Sequence, residues 1–384
     1  MSAAGAPRSL VPPGAVPLEV LAARFRGFDV GDALYAALCR QVAARPDWLA
    51  MLWRAPPGQQ LPNLWLAALH ERILGGIAHP LAAYFESVGG TRAPDAALAD
   101  AFADFVAQEQ AAMLASIATR STQTNEIGRC AVLWPALCHI AQASGGRDLA
   151  LLDFGCSAGL NLGVDRYAYG EVESTESLHE ATDDAIPHLV CRRVGPVALP
   201  SVNPAPRIVE RLGIDPAPVD VNGADALRWL RACIWPGDHA RQRRLLEAAA
   251  LARREGWAVR READCLAAIE PWLDALPHGV TPVVFHSWVL HYVDRDELGR
   301  HVTAMTALVR ERGVQWLSAE GPHVRIAELD LPPPFESEED RVATTLWTLC
   351  SAPQGSVRFE LLARSHAHGR WVEWRAGPAS TQPR

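Results

Sequence analysis

The chain has 384 residues, 49% of them hydrophobic, and a formal charge of -8 that is spread along the sequence. Such a chain can bury a sizeable core as one large domain or two ordinary ones, and without a basic stripe it is not expected to bind nucleic acid. The chain contains no lysine, because all 36 Lys+Arg positions are arginine. Chemistries that need a lysine, such as P-loop nucleotide hydrolysis, pyridoxal catalysis and the kinase reaction, are therefore excluded.

The N-terminus and the cysteines indicate the compartment. Residues 1–16 are proline-rich and lack a signal-peptide pattern, and no apolar run approaches the roughly 18 residues of a membrane span. The 8 cysteines include no C-x-x-C pair, so neither a disulfide framework nor a metal site is expected. We expect a flexible N-terminus followed by a soluble cytoplasmic protein that does not bind membranes.

Residues 17–121 predict an all-helical region. Apolar residues recur at helical spacing and are interrupted by proline and glycine stops, in the segments LEVLAARF, DALYAALCRQVAARPDWLAMLW, NLWLAALHERIL and ALADAFADFVAQEQAAMLASIA. The next helix, which opens the region 122–384, begins with the polar residues Asn125, Glu126 and Arg129. Two interpretations stay open: Thr124 or Asn125 caps the helix with Glu126 near its positive end, or these residues contact a ligand.

The stretch LALLDFGCSAGLNLGVDRY, from Leu149 to Tyr167, predicts a buried strand, a turn of small residues and the start of a helix. Parallel α/β sheets bind their ligands at such a turn, where backbone N–H groups face the bound group. Asp153, near the end of the strand, adds a fixed acceptor. We therefore expect the N–H groups of residues 155–159 to face a ligand.

The rest of the chain predicts strands that alternate with helices, which favours a Rossmann-like, doubly wound and mostly parallel α/β sheet. Strands are expected to end at Asp215 and Asp264, and the segments TPVVFHSW and VQWLSAEG supply two more. A C-terminal antiparallel hairpin is expected around the Ser365–Gly369 turn. The insertion 166–206 has a weak pattern, strand-like at 188–193, and is not placed.

The run Asp153-Phe-Gly-Cys-Ser-Ala-Gly159 resembles the first motif of class I S-adenosylmethionine-dependent methyltransferases. Together with TQTNEIGR, RLGIDPAPVDV, RWLRACIWP, VVFHSWVLHY and LSAEGP, it resembles a bacterial family of unknown function with such a core, over nearly the whole chain. The resemblance implies S-adenosylmethionine as cofactor, with Asp215 on the ribose and Asp264 on the adenine. The implied cofactor-binding set is Asp153, Gly155, Ser157, Gly159, Asn161, Asp215 and Asp264.

Two features depart from this pattern. Ser157 stands where the second glycine is usual, and its Cβ restricts the positive φ that glycine permits. Asp215 follows Asp153 by 62 positions, whereas about 20 separate the corresponding residues in an ordinary dinucleotide-binding unit.

The resemblance also implies where a methyl acceptor is handled. His286, His291 and Tyr292 follow the fourth predicted strand, so they are the candidate catalytic residues, with a histidine as general base. The candidate substrate-binding residues are Asn125, Glu126, Arg129 and Glu320. We expect a small-molecule acceptor between the helical region and the sheet, but its identity and the oligomeric state are not predicted.

Two other functions stay open. Gly155–Gly159 also satisfies G-x-S-x-G, the nucleophile elbow of α/β-hydrolases, with Ser157 as nucleophile, Asp264 or Asp294 as acid and His323 as base. The helices before Leu149 argue against this hydrolase, because an elbow normally follows several strands. The third reading is a non-catalytic nucleotide-binding or interaction protein. Cys156 is a further candidate, since a thiol at a helix N-terminus can have a lowered pKa.

Overall fold

A computed structural model describes residues 14–28, 31–56, 58–123, 125–171, 177–179, 186–333 and 343–377. Thr124, most of the N-terminal segment 1–16 and parts of the insertion 166–206 lie outside the described residues, and so do the expectations that concern them. The chain forms two compact units, residues 1–124 with 223–242 and residues 125–222 with 243–384. Among the described residues, no helix combines the length and the apolar character needed to cross a bilayer.

The first unit is helical, as the apolar spacing predicts. Its helices are α1 (Leu18–Arg26), α2 (Ala33–Ala43), α3 (Pro46–Leu49), α4 (Pro62–Leu74), α5 (Leu98–Thr119) and, from the later segment, α7 (Ala224–Ala232). Short 3-10 helices occupy Ala50–Arg54, Pro80–Tyr84 and Glu86–Val88. The core of this unit is built from buried aliphatic and aromatic side chains, including Trp48, Trp65 and Phe102.

The segment 223–242 belongs to the helical unit rather than to the sheet, which differs from the predicted boundary at residue 121. Trp229 of α7 is 3% exposed in the helical core, and its Nε1 donates to Ser121 O at 2.9 Å. The guanidinium of Arg120 lies 5.0 Å from the Trp229 ring centroid, and His70 Nδ1 lies 3.2 Å from Ala232 O. Long-range packing of α7 therefore sets this boundary.

The second unit is a mixed α/β structure. Its helices are α6 (Cys130–Ala143), α9 (Ile269–Asp274), α10 (Arg295–Arg312) and most of α8 (His239–Glu255). Its strands are β1 (Leu149–Phe154), β2 (Ala168–Glu171), β3 (Ser177–His179), β4 (His188–Val194), β5 (Ile208–Asp215), β6 (Ala258–Arg261), β7 (Thr281–Ser287), β8 (Gln315–Glu320), β9 (Thr344–Ser351), β10 (Arg358–His366) and β11 (Trp371–Trp374).

Within the described residues the strands form one sheet in the order β3-β2-β4-β11-β10-β9-β8-β7-β1-β5-β6. Its pairs are mostly parallel, and the antiparallel ones are β8–β9, β9–β10, β10–β11 and β2–β3. The order reverses at β1, which pairs with β5 on one side and β7 on the other. The C-terminal hairpin is confirmed, and β4, the strand-like part of the insertion, pairs with β11 and β2.

The α-helix expected after the β1 turn is a 3-10 helix, Leu160–Arg166. Side chains take carbonyl groups that a continuing α-helix would use: Tyr167 donates to Leu160 O, Tyr169 to Val164 O and Arg211 to Leu162 O. Because these acceptors are satisfied, the segment needs no further helical turn. The β1-to-β5 connection instead runs through β2, β3 and β4.

Register assigns the carboxyl-end residues to the two faces of the sheet, since side chains alternate along a strand. Asp153 is in register with Phe285, so its side chain shares a face with those of Phe285 and Ser287. His286 is in register with Ser318, two residues before Glu320, so His286 and Glu320 lie on the opposite face. There α9 and α10 cover a buried apolar cluster.

Candidate functional site

The turn after β1 has its backbone N–H groups occupied by the protein. Gly155 N and Cys156 N donate to Ile214 O at 2.8 and 3.1 Å. Ser157 N donates to Asp215 Oδ2 at 2.8 Å, and the remaining two bonds run from Ala158 N to Asn125 Oδ1 and from Gly159 N to Cys156 O. The expectation that these N–H groups face a ligand is therefore wrong for this structure, in which residues 155–159 form an internally bonded turn.

The glycines of this turn are needed for conformation and for packing. Gly155 and Gly159 have φ of 70° and 67°, values that favour glycine. A Cβ on Gly155 would come within 2.6 Å of Val289, and one on Gly159 within 2.5 Å of Val259. Ser157 adopts φ 52° in spite of its Cβ, which costs on the order of 1 kcal/mol. Close packing by neighbouring side chains thus accounts for both glycines.

Asp215 and Asn125 hold the turn from its two sides. Asp215 accepts from Ser157 N and, through Oδ1, from Ala217 N at 2.7 Å. Asn125 donates from Nδ2 to Ser157 Oγ at 2.7 Å while its Oδ1 accepts from Ala158 N. The sequence predicts both residues in the site, and the structure brings both to Ser157.

Asp153 is a buried carboxylate with little compensation. Its side chain is 2% exposed, and among the described residues it has one hydrogen bond, a long one of 3.4 Å from Asn161 Nδ2. Burial raises the pKa of Asp153 to about 7; the Asn161 bond and the Arg129 charge oppose this increase, and the Asp215 charge adds to it. A positive charge beside Asp153 would remove much of this cost.

Arg129 and Glu126 lie just before α6 and are both 5% exposed. Arg129 donates from Nε to Ala367 O at 2.8 Å and from NH1 to Ser287 Oγ at 3.1 Å, and its guanidinium lies 5.8 Å from the Trp288 ring centroid. Glu126 accepts from Gly128 N at 2.9 Å and so caps the 3-10 helix Ile127–Arg129. Glu126 itself is thus the cap, whereas Asn125, one of the two predicted caps, bonds to Ser157 and Ala158 instead. Arg129 reaches the end of β7.

His286 and Glu320 form a buried pair on the face covered by α10. His286 Nδ1 lies 2.9 Å from Glu320 Oε1, and the two side chains are 0% and 2% exposed. His301 and Trp316 surround His286 at 5.8 and 6.0 Å between ring centroids, and burial lowers the pKa of His301 to about 3. The ring is fully buried with Nδ1 beside Glu320, so the contacts shown are structural, and His286 as a general base stays a prediction.

His291 and Tyr292 lie in the short 3-10 helix after β7, Leu290–Tyr292. The His291 side chain is 23% exposed and its ring centroid is 3.7 Å from that of Tyr292, which is 62% exposed. The Trp288 ring is 5.6 Å from His291, and Trp288 itself has φ 56°. Of the three candidate catalytic residues, these two therefore reach the surface.

A family model described as "Uncharacterized protein conserved in bacteria (DUF2332)" matches residues 29–374. The chain belongs to the DUF2332 family. Neither the curated proteins nor the solved structures include a match to it. The predicted membership of an uncharacterised bacterial family is thus confirmed, and this DUF2332 protein has to be interpreted from its own geometry.

In the DUF2332 protein, Asp264 is not at a strand end, because β6 ends at Arg261. The Asp264 side chain is exposed, and its Oδ1 accepts from Ala267 N at 3.1 Å in a turn. Asp294, the other acid of the hydrolase alternative, caps α10 through a bond from Glu297 N. The thiol of Cys156 is buried and its pKa is raised, not lowered, chiefly by that burial. These local contacts weaken both the hydrolase and the reactive-thiol interpretations.

Trp288, Val289 and His301 are parts of this DUF2332 site region that the sequence analysis did not single out. Trp288 donates to Thr345 Oγ1 at 2.8 Å, and Val289 fills the space beside Gly155. For Trp288 the sequence did carry a signal, since it is the last residue of the predicted strand segment TPVVFHSW, one residue beyond the observed end of β7. His301 lies inside α10, where nothing in the helical pattern distinguishes it.

Proposed function

We propose that this DUF2332 protein is an S-adenosylmethionine-dependent methyltransferase that acts on a small molecule. The observation that carries the proposal is Asp153, a buried and weakly compensated carboxylate at the carboxyl end of β1. The strand order reverses at β1, and open α/β sheets bind ligands outside the carboxyl ends of the strands at such a reversal.

The residues at this point fit a cationic cofactor better than an anionic one. Asp153 offers a negative charge that pairs poorly with its surroundings, and the second carboxylate, Asp215, contributes to its raised pKa. The turn's N–H groups, which would favour an anion, are bonded internally. S-adenosylmethionine, when bound, supplies a methyl group on a positively charged sulfur, and its ammonium is a second cation.

The chain's own side chains then have separate tasks. Asp153, held by Asn161, would face the positive charge. Asp215 uses each oxygen for one backbone N–H, and a carboxylate has about four acceptor positions, so it could also accept from ribose hydroxyls. Arg129, on the Asp153 side of the sheet through its bond to Ser287, is the candidate for holding an anionic part of a ligand.

Calorimetric titration with S-adenosylmethionine and S-adenosylhomocysteine tests the proposal. We expect micromolar binding by the wild type and at least tenfold weaker binding of S-adenosylmethionine by Asp153→Asn, a loss of about 1.4 kcal/mol. Asp148→Asn is the matched control, because Asp148 lies at the opposite end of the same strand, half exposed, beside Arg207.

Comparing the two ligands also distinguishes which cationic group of S-adenosylmethionine, the sulfonium or the ammonium, lies against Asp153. If Asp153 faces the sulfonium, Asp153→Asn weakens S-adenosylmethionine more than the neutral-sulfur product; if it faces the ammonium, both ligands are weakened equally. Absence of binding of either ligand to the wild type would overturn the proposal. If Asp148→Asn weakened binding as much as Asp153→Asn does, Asp153 would no longer be assigned to the cofactor site.

A further inference from the structure

Two buried polar atoms face each other at the carboxyl ends of β7 and β8. Glu320 Oε2 and His291 Nδ1 are 4.0 Å apart. Each is shielded from solvent, and neither has a hydrogen-bond partner within the described part of the chain. A carboxylate oxygen is an acceptor and an imidazole N–H is a donor, so the two are complementary. A small rotation of His291 would close the remaining gap.

The Glu320 carboxylate is fixed in place through its other oxygen. Oε1 accepts from Val289 N at 2.8 Å and from Leu290 N at 3.1 Å, and His286 Nδ1 is 2.9 Å away. Burial opposes ionisation, but these bonds keep the pKa of Glu320 below its ordinary value. Glu320 is thus a charged group that also anchors the backbone leading to His291.

His291 has one buried side and one accessible side. Since Nδ1 is buried while the side chain is 23% exposed, the exposed part of the ring lies away from Glu320. The charged and titratable groups that act on it are Glu320 from β8, His323 from the following loop and Arg129 from before α6, and burial lowers its pKa overall. The ring is therefore neutral near pH 7, as a general base requires.

The rings around His291 indicate what kind of molecule would meet it. Trp288, Tyr292 and His323 have ring centroids 5.6, 3.7 and 6.4 Å from that of His291. Aromatic faces of this kind favour flat partners through offset or edge-to-face packing. Tyr292 is a large hydrophobic residue that is 62% exposed, so this group of rings reaches the surface.

We propose that His291 is the general base for a flat acceptor that carries an ionisable O–H or N–H group, such as a phenol, and that Glu320 is its positioning residue. The inference rests on the proposed methyltransferase function. In this proposal the 4.0 Å gap closes so that Glu320 Oε2 accepts from Nδ1–H, which leaves the lone pair of Nε2 for the acceptor.

The proton and the electrons balance in this step. The acceptor's O–H or N–H bond breaks, and its proton passes to Nε2 of His291. The freed electron pair forms the new bond to the methyl carbon, and the sulfur–methyl bond breaks with its electrons remaining on sulfur. The single positive charge moves from sulfur to the imidazolium, where Glu320 stabilises it.

Nuclear magnetic resonance of histidine labelled with ¹⁵N and ¹³C tests the pair without any cofactor. In the wild type we expect His291 in the Nδ1–H tautomer. In Glu320→Gln we expect its pKa to fall by about one unit, since an opposite charge at this distance shifts a pKa by about that much or more. His291→Gln assigns the resonance, and Glu328→Gln, which removes the negative charge of a side chain that is 95% exposed, is the control.

Glutamine can still accept from Val289 N and Leu290 N, so Glu320→Gln is expected to fold, which a thermal melt checks. If the tautomer and the pKa of His291 are unchanged in Glu320→Gln, the proposed pairing of His291 with Glu320 is overturned. Phenol added to the wild type should shift the His291 resonances and bind more weakly to His291→Gln; no such shift would overturn the acceptor class. Neither result depends on S-adenosylmethionine binding, so failure here is distinguishable from failure of the proposed function.

Discussion

The buried carboxylate of Asp153 lowers the stability of the free protein, and under the proposed function it binds a cation. Its carboxylate is buried at the carboxyl end of β1, and among the described residues its one hydrogen bond is the long one from the amide of Asn161. An under-compensated buried charge is destabilising unless a partner of opposite charge arrives. The same feature that weakens the free protein would therefore strengthen the binding of a cation.

The raised pKa of Asp153 predicts a pH dependence of stability. The folded protein holds this proton up to about pH 7, whereas an unfolded aspartate releases it near its ordinary value of 3.8. Between these two values the folded state binds more protons, so the free energy of unfolding falls as pH rises. Asp153→Asn should lack this fall, and the effect amounts to a few kcal/mol at most, at about 1.4 kcal/mol per unit of pKa difference.

Urea unfolding at several values between pH 4 and pH 7 measures this effect. The stability of Asp153→Asn relative to wild type should increase steadily across the range. Asp148→Asn, with a half-exposed carboxylate, should run parallel to the wild type. A constant difference between Asp153→Asn and the wild type would show that Asp153 already ionises near its ordinary pKa.

At the scale of elements, the positions of strands such as β1 and β7 could be predicted from the sequence, but the face of the sheet on which each side chain lies could not. The apolar runs of β1 and β7 are easily read, and they place Asp153 and His286 at the same end of the sheet. Both strands are buried on both faces, so their sequences show no alternation that assigns a side chain to one face. Only the register between β1 and β7 separates Asp153 from His286.

Two other predicted elements differ from the structure. The strand β6 is mostly exposed, and its polar continuation Glu262–Asp264 does not mark an end, so Asp264 was assigned to the strand. The α-helix expected after Gly159 is a 3-10 helix, in which the nearby Tyr167 and the distant Arg211 satisfy carbonyl groups. Such contacts depend on the fold and cannot be read from the local sequence.

The contacts of Arg211 lead to a prediction about the free energy of unfolding. It donates to Leu162 O and to both carboxylate oxygens of Asp165, and the two side chains are 15% and 18% exposed. Arg211→Met leaves a partly buried carboxylate and a carbonyl without this donor, so we expect a loss of about 2–4 kcal/mol. Arg207→Met, whose side chain is 77% exposed just before β5, should cost less than about 1 kcal/mol. Chemical denaturation compares the two, and equal losses would contradict the role given to Arg211.

At the scale of the whole molecule, the helical unit is discontinuous in sequence. Residues 223–242 complete it after the chain has passed through the first five strands of the sheet. The helical patterns of 17–121 predict a helical unit, although the segment 32–53 is divided into α2, α3 and a 3-10 helix. They contain no sign that Trp229 from α7 fills the core of this unit. Completion by a distant segment is a property of tertiary packing, which local periodicity does not report.

This discontinuity predicts that residues 14–123 alone form an incomplete unit. Without α7 the fragment lacks the buried Trp229 ring and the contacts of Ser121, Arg120 and His70 with that segment, and loss of such a ring typically costs about 3–5 kcal/mol. A peptide of residues 223–242 added in trans should raise the thermal midpoint of the fragment, as followed by circular dichroism. The same peptide with Trp229→Ala should have little effect, while Arg228→Ala, which removes a surface ion pair with Asp225, should act like the unmodified peptide. A fragment whose midpoint is insensitive to all three peptides would mean that the helices before Thr124 bury a sufficient core by themselves, and that α7 is not needed to complete it.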